Sequence, residues 1–524
     1  MNNASQGTFG NLIAGMDTVN KPVFYICLVF VSSFCLYALI DLEGLSSLVD
    51  TSFGFSAQYF GLFWQVLLLA TFLIGLVICF LPGSKTKLGS KGVKPEFSLF
   101  QWGSMIMCTL LAGGGVFWAA GEPLAHFTSP PPLFADVAAG SAEAAHVALA
   151  QSFLHWGFLA WAILGSLTTT MLMYYHYEKG LPLAPRTLLY PVFKEKALNG
   201  PIGWIVDASC IIAVLAGTIG PIGFLGLQVS YGLNALFGIP DTFATQVFMI
   251  LALGVIYTGS ALTGINKGIQ LLSKINMVVV FILLAFMLVA GPTLFIFSGF
   301  FNGLGVHLTN FFQMAMFRGD SGLFGAPGWL GWWTVFFWGW FMGYGPLMAI
   351  FIARVSKGRS IRAIIIMLSI VAPIITMFWF TIVGGTGLGM EILSPGLISE
   401  PFKGFNLPAA LLAITQALPL GFLVSLLFLV LTMIFVATTA DSMTYVMSVS
   451  LSKNDSENPV PAIRAFWGVS MAVMAIILIA GGSAGIGKLQ SFIVVTAVPV
   501  SFILLPSLWD ALRITLLKGK SSAG

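Results

Sequence analysis

Thirteen residues from Trp332 to Tyr344 read W-W-T-V-F-F-W-G-W-F-M-G-Y and carry eight aromatic rings: Trp332, Trp333, Phe336, Phe337, Trp338, Trp340, Phe341 and Tyr344. Such rings attract a desolvated cation to within about 6 Å of their faces, and quaternary ammonium groups are the usual guests because they donate no hydrogen bond. At helical spacing Trp338 and Phe341 share one face, while Phe337, Trp340 and Tyr344 share the next. Gly343-Tyr344-Gly345-Pro346 predicts a break in that helix. A break at membrane depth is tolerated only where protein or a water-filled cavity satisfies the freed backbone groups, so it points to a cavity. The alternative is that the aromatics fill lipid-facing surface or an interfacial belt.

A second candidate lies in F-V-A-T-T-A-D-S, which carries Thr438, Thr439, Asp441 and Ser442. Hydroxyls in a membrane helix often bond back to a carbonyl one turn earlier. Together with carbonyls of an unwound helix, they also supply the oxygen ligands that a hard alkali cation requires. Asp441 calls for a basic partner, most simply as a structural pair near one end of its span.

The elements that must position these groups are membrane spans. Of 524 residues 58% are hydrophobic and 8% charged, with a mean hydropathy of +0.96, whereas a soluble domain carries about 25% charged residues. The expected fold is an all-α polytopic membrane protein. Taking about 20 apolar residues per crossing gives twelve spans, near 22–41, 59–82, 99–120, 147–175, 203–236, 243–263, 275–299, 329–354, 361–385, 417–450, 462–482 and 489–516. The first two carry no charge or obvious break and read as peripheral.

Lys85, Lys87, Lys91, Lys94, Arg186, Lys194, Lys196, Lys267, the cluster Arg354 to Arg362, Lys518 and Lys520 fall on one side, with the termini. That side is expected to be cytoplasmic. The sequence opening M-N-N-A-S-Q-G-T-F-G-N lacks the basic region of a signal peptide, so the first span is expected to remain in the protein.

The third span holds Gly113, Gly114 and Gly115 at its middle, which permits close packing or unwinding. The eighth span has Gly343, Gly345 and Pro346 in the corresponding place when spans 3–7 and 8–12 are aligned as two sets of five. Paired interrupted helices of this kind point to an inverted-repeat transporter with its site at the midplane. The fifth span, with Gly217-Thr218 and Gly220-Pro221, predicts a further break. Asn302 to Phe317, polar on one side through Asn302, His307, Asn310 and Gln313, suits an interfacial helix. The organisation expected is thus 1–98 with the peripheral spans and a basic loop, 99–300 as the first repeat, 301–328 as the outer helix, 329–516 as the second repeat, and 517–524 as a tail.

Cys27, Cys35, Cys79, Cys108 and Cys210 all lie in apolar segments without C-x-x-C spacing, so neither a disulfide framework nor a metal site is expected. No paired carboxylates, His/Cys cluster or nucleophile with a base converges, which argues against an enzyme, and the polar residues are too sparse for a channel lining. His155, which precedes Trp156, reads as a hydrogen-bonding packing residue rather than a proton carrier.

Several of these stretches also match a known pattern. F-I-A-R-V-S-K-G-R-S-I-R from Phe351 to Arg362, behind the Trp-rich run, resembles the signature span of the betaine/carnitine/choline transporter family, and the K-L-G…K-P-E-F-S loop from Lys87 to Ser98 extends the resemblance to nearly the whole chain. The fourth span is similar to the family's H-W-x-x-x-x-W-A-x-Y, with Trp156 and Trp161 matching and Leu164 in the Tyr position. In the eighth span Trp338 and Trp340 match, while Phe341 and Tyr344 stand where the family usually has Trp. The resemblance implies a substrate cage of Trp156, Trp161, Trp338, Trp340, Phe341 and Tyr344. Its reduced Trp content suggests a cation other than trimethylammonium, such as a sulfonium. It further implies a sodium site of Thr438 and Thr439 with the carbonyls of Cys108 and Leu111, and a second ion position at Thr218, where Val214 replaces a partner Thr. A helix in the place of 302–317 joins subunits of the family into a trimer.

The function expected is sodium-coupled import of a betaine-like zwitterion, such as glycine betaine or dimethylsulfoniopropionate, across a bacterial inner membrane. The alternative is sodium-independent exchange of carnitine- or choline-type compounds. No Arg or Lys lies at mid-span near the aromatics, so the substrate carboxylate is expected to meet backbone N–H groups, half-helix N-termini or a sodium ion. No cofactor beyond that ion and no nucleic-acid partner are expected, and the short termini do not favour osmotic activation.

Overall fold

A computed structural model describes residues 15–89, 92–111, 114–263, 268–319, 328–452, 459–480 and 485–523. Within them the chain is helical, with two isolated β-bridges and no strand. Apolar runs take this form because only helices satisfy their own backbone groups in hydrocarbon.

The elements used below are α1 (Lys21–Ile40), α2 (Leu42–Phe80), α3 (Leu99–Leu111), α4 (Gly115–Thr128), α5 (Ala142–Trp156), α6 (Phe158–Lys179), α7 (Pro201–Phe237), α8 (Phe243–Thr263), α9 (Gly268–Ala290) and α10 (Thr293–Thr309). They continue as α11 (Phe311–Ala315), α12 (Phe336–Val355), α13 (Ile361–Ile366), α14 (Ala372–Leu393), α15 (Leu407–Ala417), α16 (Gly421–Ser450), α17 (Pro461–Ile479), α18 (Gly485–Leu504) and α19 (Ser507–Ala523). Ten stretches among the described residues are long and apolar enough to span, and the pair bent by 102° between Ala290 and Thr293 supplies an eleventh. The pair α3 and α4, too short singly, completes the twelve expected.

Local chemistry sets many of the ends. The side chains of Asp41, Ser141 and Ser360 accept the backbone N–H of Gly44, Ala144 and Ala363, capping α2, α5 and α13. Gly180 and Gly238 close α6 and α7 at φ 70°, in the left-handed region that glycine enters without a Cβ penalty.

The interruptions fall in different places from those expected. The third span is described as two helices, α3 to Leu111 and α4 from Gly115; Gly114 before α4 keeps a helical φ of −95° and ψ of −33°, and residues 112 and 113, Gly113 among them, lie outside the described residues. The fourth span is also broken, at Gly157, which the sequence reading did not anticipate. The eighth span, by contrast, runs unbroken through Gly343, Tyr344, Gly345 and Pro346. Its glycines serve close packing instead: a Cβ at Gly345 would lie 3.3 Å from the Ile163 carbonyl on α6, and one at Gly343 3.6 Å from Ala213 Cβ on α7. The irregular turn lies earlier, where Gly331–Val335 adopts a π-helical winding.

The fifth span is likewise continuous, against expectation. A side chain at Gly217 would collide with Tyr344, and one at Gly220 would come within 2.6 Å of Ile493, so these glycines admit α12 and α18. The seventh span ends at Ala290 rather than near 299, and the outer helix starts at Thr293 rather than Asn302, because Gly291-Pro292 turns the chain there.

α1 is peripheral, with most of its surface facing outward, whereas α2 packs against α6 and α18 and buries Trp64 beside Gly339. On the basic side the segment Thr86–Leu88 pairs with Gly358–Ile361 through Gly358 N–H to Leu88 O (2.8 Å), Leu88 N–H to Arg359 O (3.0 Å) and Ile361 N–H to Thr86 O (3.1 Å). Arg359 donates to Phe97 O at 2.6 Å and lies 4.8 Å over the Trp102 ring, while Trp102 Nε1 donates to Ser356 Oγ at 2.9 Å. These contacts hold the free end of α3 against the end of α12.

Two buried ion pairs join helices at depth. Arg464 on α17 meets Asp441 on α16 at 2.5 Å, and Ser260 donates to the other carboxylate oxygen at 2.8 Å, which is the basic partner expected for Asp441. Arg186 pairs with Asp207.

Candidate functional site

Four spans converge on the break at Gly114. Trp156, the last residue of α5, has ring centroids of Phe337 at 5.2 Å, Phe341 at 5.4 Å, Trp340 at 6.0 Å and, from α14, Phe380 at 5.1 Å. The other indoles are fixed by their N–H groups. Trp340 Nε1 donates to Gly217 O on α7 at 3.0 Å, and Trp379 Nε1 donates to Gly115 O at 3.1 Å, the first carbonyl of α4. Tyr344 shares a 2.9 Å hydroxyl contact with Thr218, whose Oγ also donates to Val214 O. All of these side chains are buried. A Cβ at Gly114 would run into the Trp340 ring and come within 3.0 Å of Trp156.

Of the sequence-derived aromatic candidates, Trp156, Trp340, Phe341 and Tyr344 are therefore brought together. Trp161 is not, because Gly157 restarts the helix and turns Trp161 to α14, where its Nε1 donates to Thr376 Oγ1 at 2.9 Å. Trp338, two residues and about 200° from Trp340, is fully buried with no ring partner among the described residues. Trp332 is 40% exposed, lies tilted against Phe53 with ring centroids 4.4 Å apart, and lines the outer cavity rather than the cluster. An open cavity of about 480 Å³ lies beyond the cluster, with Trp118, Trp333, Phe405, Leu407 and Lys488 in its lining.

Phe337, Phe380 and Trp379 complete the cluster, and Glu122 supports it from below. Glu122 is fully buried on α4. Trp156 Nε1 donates to its Oε2 at 2.8 Å, and His155 Nδ1 lies 2.6 Å from its Oε1. His155 Nε2 contacts Thr334 Oγ1 at 3.0 Å and Gln151 Nε2 at 2.9 Å. His155 is thus the hydrogen-bonding packing residue expected. With His126, whose Nε2 is 3.6 Å from Glu122 Oε1, these groups form the Glu/His cluster that the sequence reading missed. The signal available was Glu122-Pro123 itself, an acid inside an apolar run.

At the second candidate, Thr438 Oγ1 donates to Ile434 O at 2.9 Å and lies 3.1 Å from Phe435 O, as helix back-bonding predicts. Thr439 differs: its Oγ1 is buried and has no partner among the described residues. α3 packs against α16, bringing the two elements of the expected ion site together. The side chains of Cys108 and Leu111 lie outside the described residues. Thr218 is engaged with Tyr344 rather than presented as a bare hydroxyl.

A family model described as BCCT, betaine/carnitine/choline family transporter, matches residues 22–518. The chain is 56% identical over 501 residues to Glycine betaine transporter 2 of Vibrio parahaemolyticus, covering 96% of this chain and 91% of that protein. It is 33% identical over 487 residues to the glycine betaine transporter OpuD of Bacillus subtilis, covering 93% and 92%. Against the high-affinity choline transport protein of Escherichia coli K12 it is 30% identical over 500 residues, covering 93% and 71%.

Proposed function

This chain belongs to the betaine/carnitine/choline family of transporters, and we propose that it is a sodium-coupled symporter importing a betaine-like zwitterion with a quaternary ammonium or sulfonium head. The observation that carries this reading is the convergence of Trp156, Trp340, Phe341 and Tyr344 at the start of α4 beside Gly114. Ring faces receive the cation. The N-terminal end of α4, the positive end of its helix dipole, receives the carboxylate.

Sodium takes its place between α3 and α16. Thr439 Oγ1, a buried hydroxyl oxygen without a hydrogen-bond partner among the described residues, suits a hard cation, and carbonyls at Cys108 and Leu111 complete the proposed ligand set. Ion and substrate then favour closure around the same break, so each raises the affinity for the other. The proposed setting is a bacterial inner membrane, both termini cytoplasmic, with a homotrimer formed through α10, which exposes Leu294, Phe297 and Phe301.

The test is uptake of labelled glycine betaine and dimethylsulfoniopropionate into proteoliposomes under an inward sodium gradient or a matched potassium gradient. Sodium-driven uptake that Trp156→Ala removes supports cage and coupling together. Sodium-indifferent uptake that requires internal substrate moves the protein to the exchange reading, and no uptake of either solute overturns the proposal.

Thr439→Val is expected to raise the sodium concentration for half-maximal uptake about 10- to 100-fold, the worth of one ligand to a charged group. Thr438→Val should shift it less, since that hydroxyl is already satisfied by its own helix. Equal shifts in both variants would remove Thr439 from the ion site.

A further inference from the structure

We propose that Glu122 is a fixed counter-charge for the transported cation and determines its selectivity, acting across the Trp156 indole. This rests on the reading that Trp156 walls the substrate site.

The hydrogen bonds define the charge of the cluster. The Gln151 amide nitrogen faces His155 Nε2 at 2.9 Å and can only donate, so Nε2 accepts. The His155 proton is then on Nδ1, and the imidazole is neutral as it donates to Glu122 Oε1 at 2.6 Å. Oε2 accepts from Trp156 at 2.8 Å. Both oxygens accept, which is the arrangement of an ionised carboxylate. His126 Nε2 at 3.6 Å is beyond a hydrogen bond, and among the described residues it has no hydrogen-bond partner and no Lys or Arg pairs with Glu122.

One negative charge therefore remains inside the bundle, and a lone charge there is costly unless something answers it. The group that carries it grips the indole whose opposite side faces the cluster at Gly114. A carboxylate accepting from an indole N–H polarises the ring toward greater electron density, and a cation on the ring face gains from both the ring and the charge behind it. A purely structural clamp between α4 and α5 needs only an acceptor, and a neutral amide would provide one.

The discriminating probe is tert-butylacetate, which has the shape of glycine betaine with carbon in place of the charged nitrogen. Each is used, in proteoliposomes with saturating sodium, to inhibit uptake of labelled glycine betaine, and the ratio of inhibitory concentrations reports preference for the charge. Glu122→Gln, which keeps an oxygen for Trp156, is expected to narrow this ratio about ten-fold, while Glu122→Asp, which keeps the charge, holds it near wild type even if uptake slows. For a variant too slow to transport, quenching of tryptophan fluorescence in detergent gives the same ratio at equilibrium. An unchanged ratio in Glu122→Gln, or equal narrowing in both variants, overturns the role of the charge and leaves the transport reading intact. A wild-type protein indifferent to the charge overturns both.

Discussion

Gly114→Val is expected to lower the rate of uptake roughly 10- to 100-fold, the factor corresponding to the overpacking energy of a few added methyl groups in a filled site. The reason is local. Even a single Cβ at this position meets the Trp340 ring, with Trp156 3.0 Å away, and neither indole is free to retreat. Trp340 is held by Gly217 O and Trp156 by Glu122. Gly305→Ala on α10, where an added Cβ meets nothing within 4 Å, serves as the control and should transport as wild type does. Initial rates over a range of substrate concentrations, normalised to protein in the vesicles, decide the matter. Wild-type rates in Gly114→Val would mean that the indoles do not close on the break.

Arg464→Met should cost stability on the order of 3–5 kcal/mol, because it strands Asp441 at 1% exposure without its cation. The prediction distinguishes a structural pair from an ion-site acid. Asp441→Asn combined with Arg464→Met is expected to be more stable than Arg464→Met alone, since two neutral groups leave no buried charge unanswered. Thermal unfolding in detergent, with and without sodium, measures both. If the double variant is no more stable than the single one, the cost comes from lost packing rather than from the stranded carboxylate.

The sequence reading succeeded where one residue type has one physical use. Runs of about 20 apolar residues read as membrane spans, and ten of the described helices, eleven with the bent pair, are long and apolar enough to cross. The triple glycine at 113–115 falls where the third span divides into two described helices, with Gly113 itself outside the described residues. It failed where a residue has two uses. Gly343, Gly345, Gly217 and Gly220 looked like points of unwinding, yet they are close-packing surfaces, and only the neighbouring helices distinguish the two. Gly157, a lone glycine between two Trp-bearing stretches, gave no warning of the break it makes.

The aromatic cluster was legible as a composition but not as a set. Helical spacing placed Phe337, Trp340 and Tyr344 on one face, and Trp340 and Tyr344 do point toward the break. No spacing rule joins Trp156 to Phe380, 224 positions away, or Glu122 to His155 across 33. Glu122, an acid inside an apolar run, carries no sequence mark that tells a buried charge from an exposed one. The structure buries it completely.

The contacts on the basic side have a mechanical meaning. α3 has one end at the interruption before Gly114 and the other beside Trp102, and Leu99, Phe100 and Gln101 at that far end are exposed. It is an arm tied down near its far tip, where one indole is held by one serine and one guanidinium. Because a helix is stiff along its length, roughly 20 Å for thirteen residues, a small tilt about this tie is carried as a displacement to the Gly114 end.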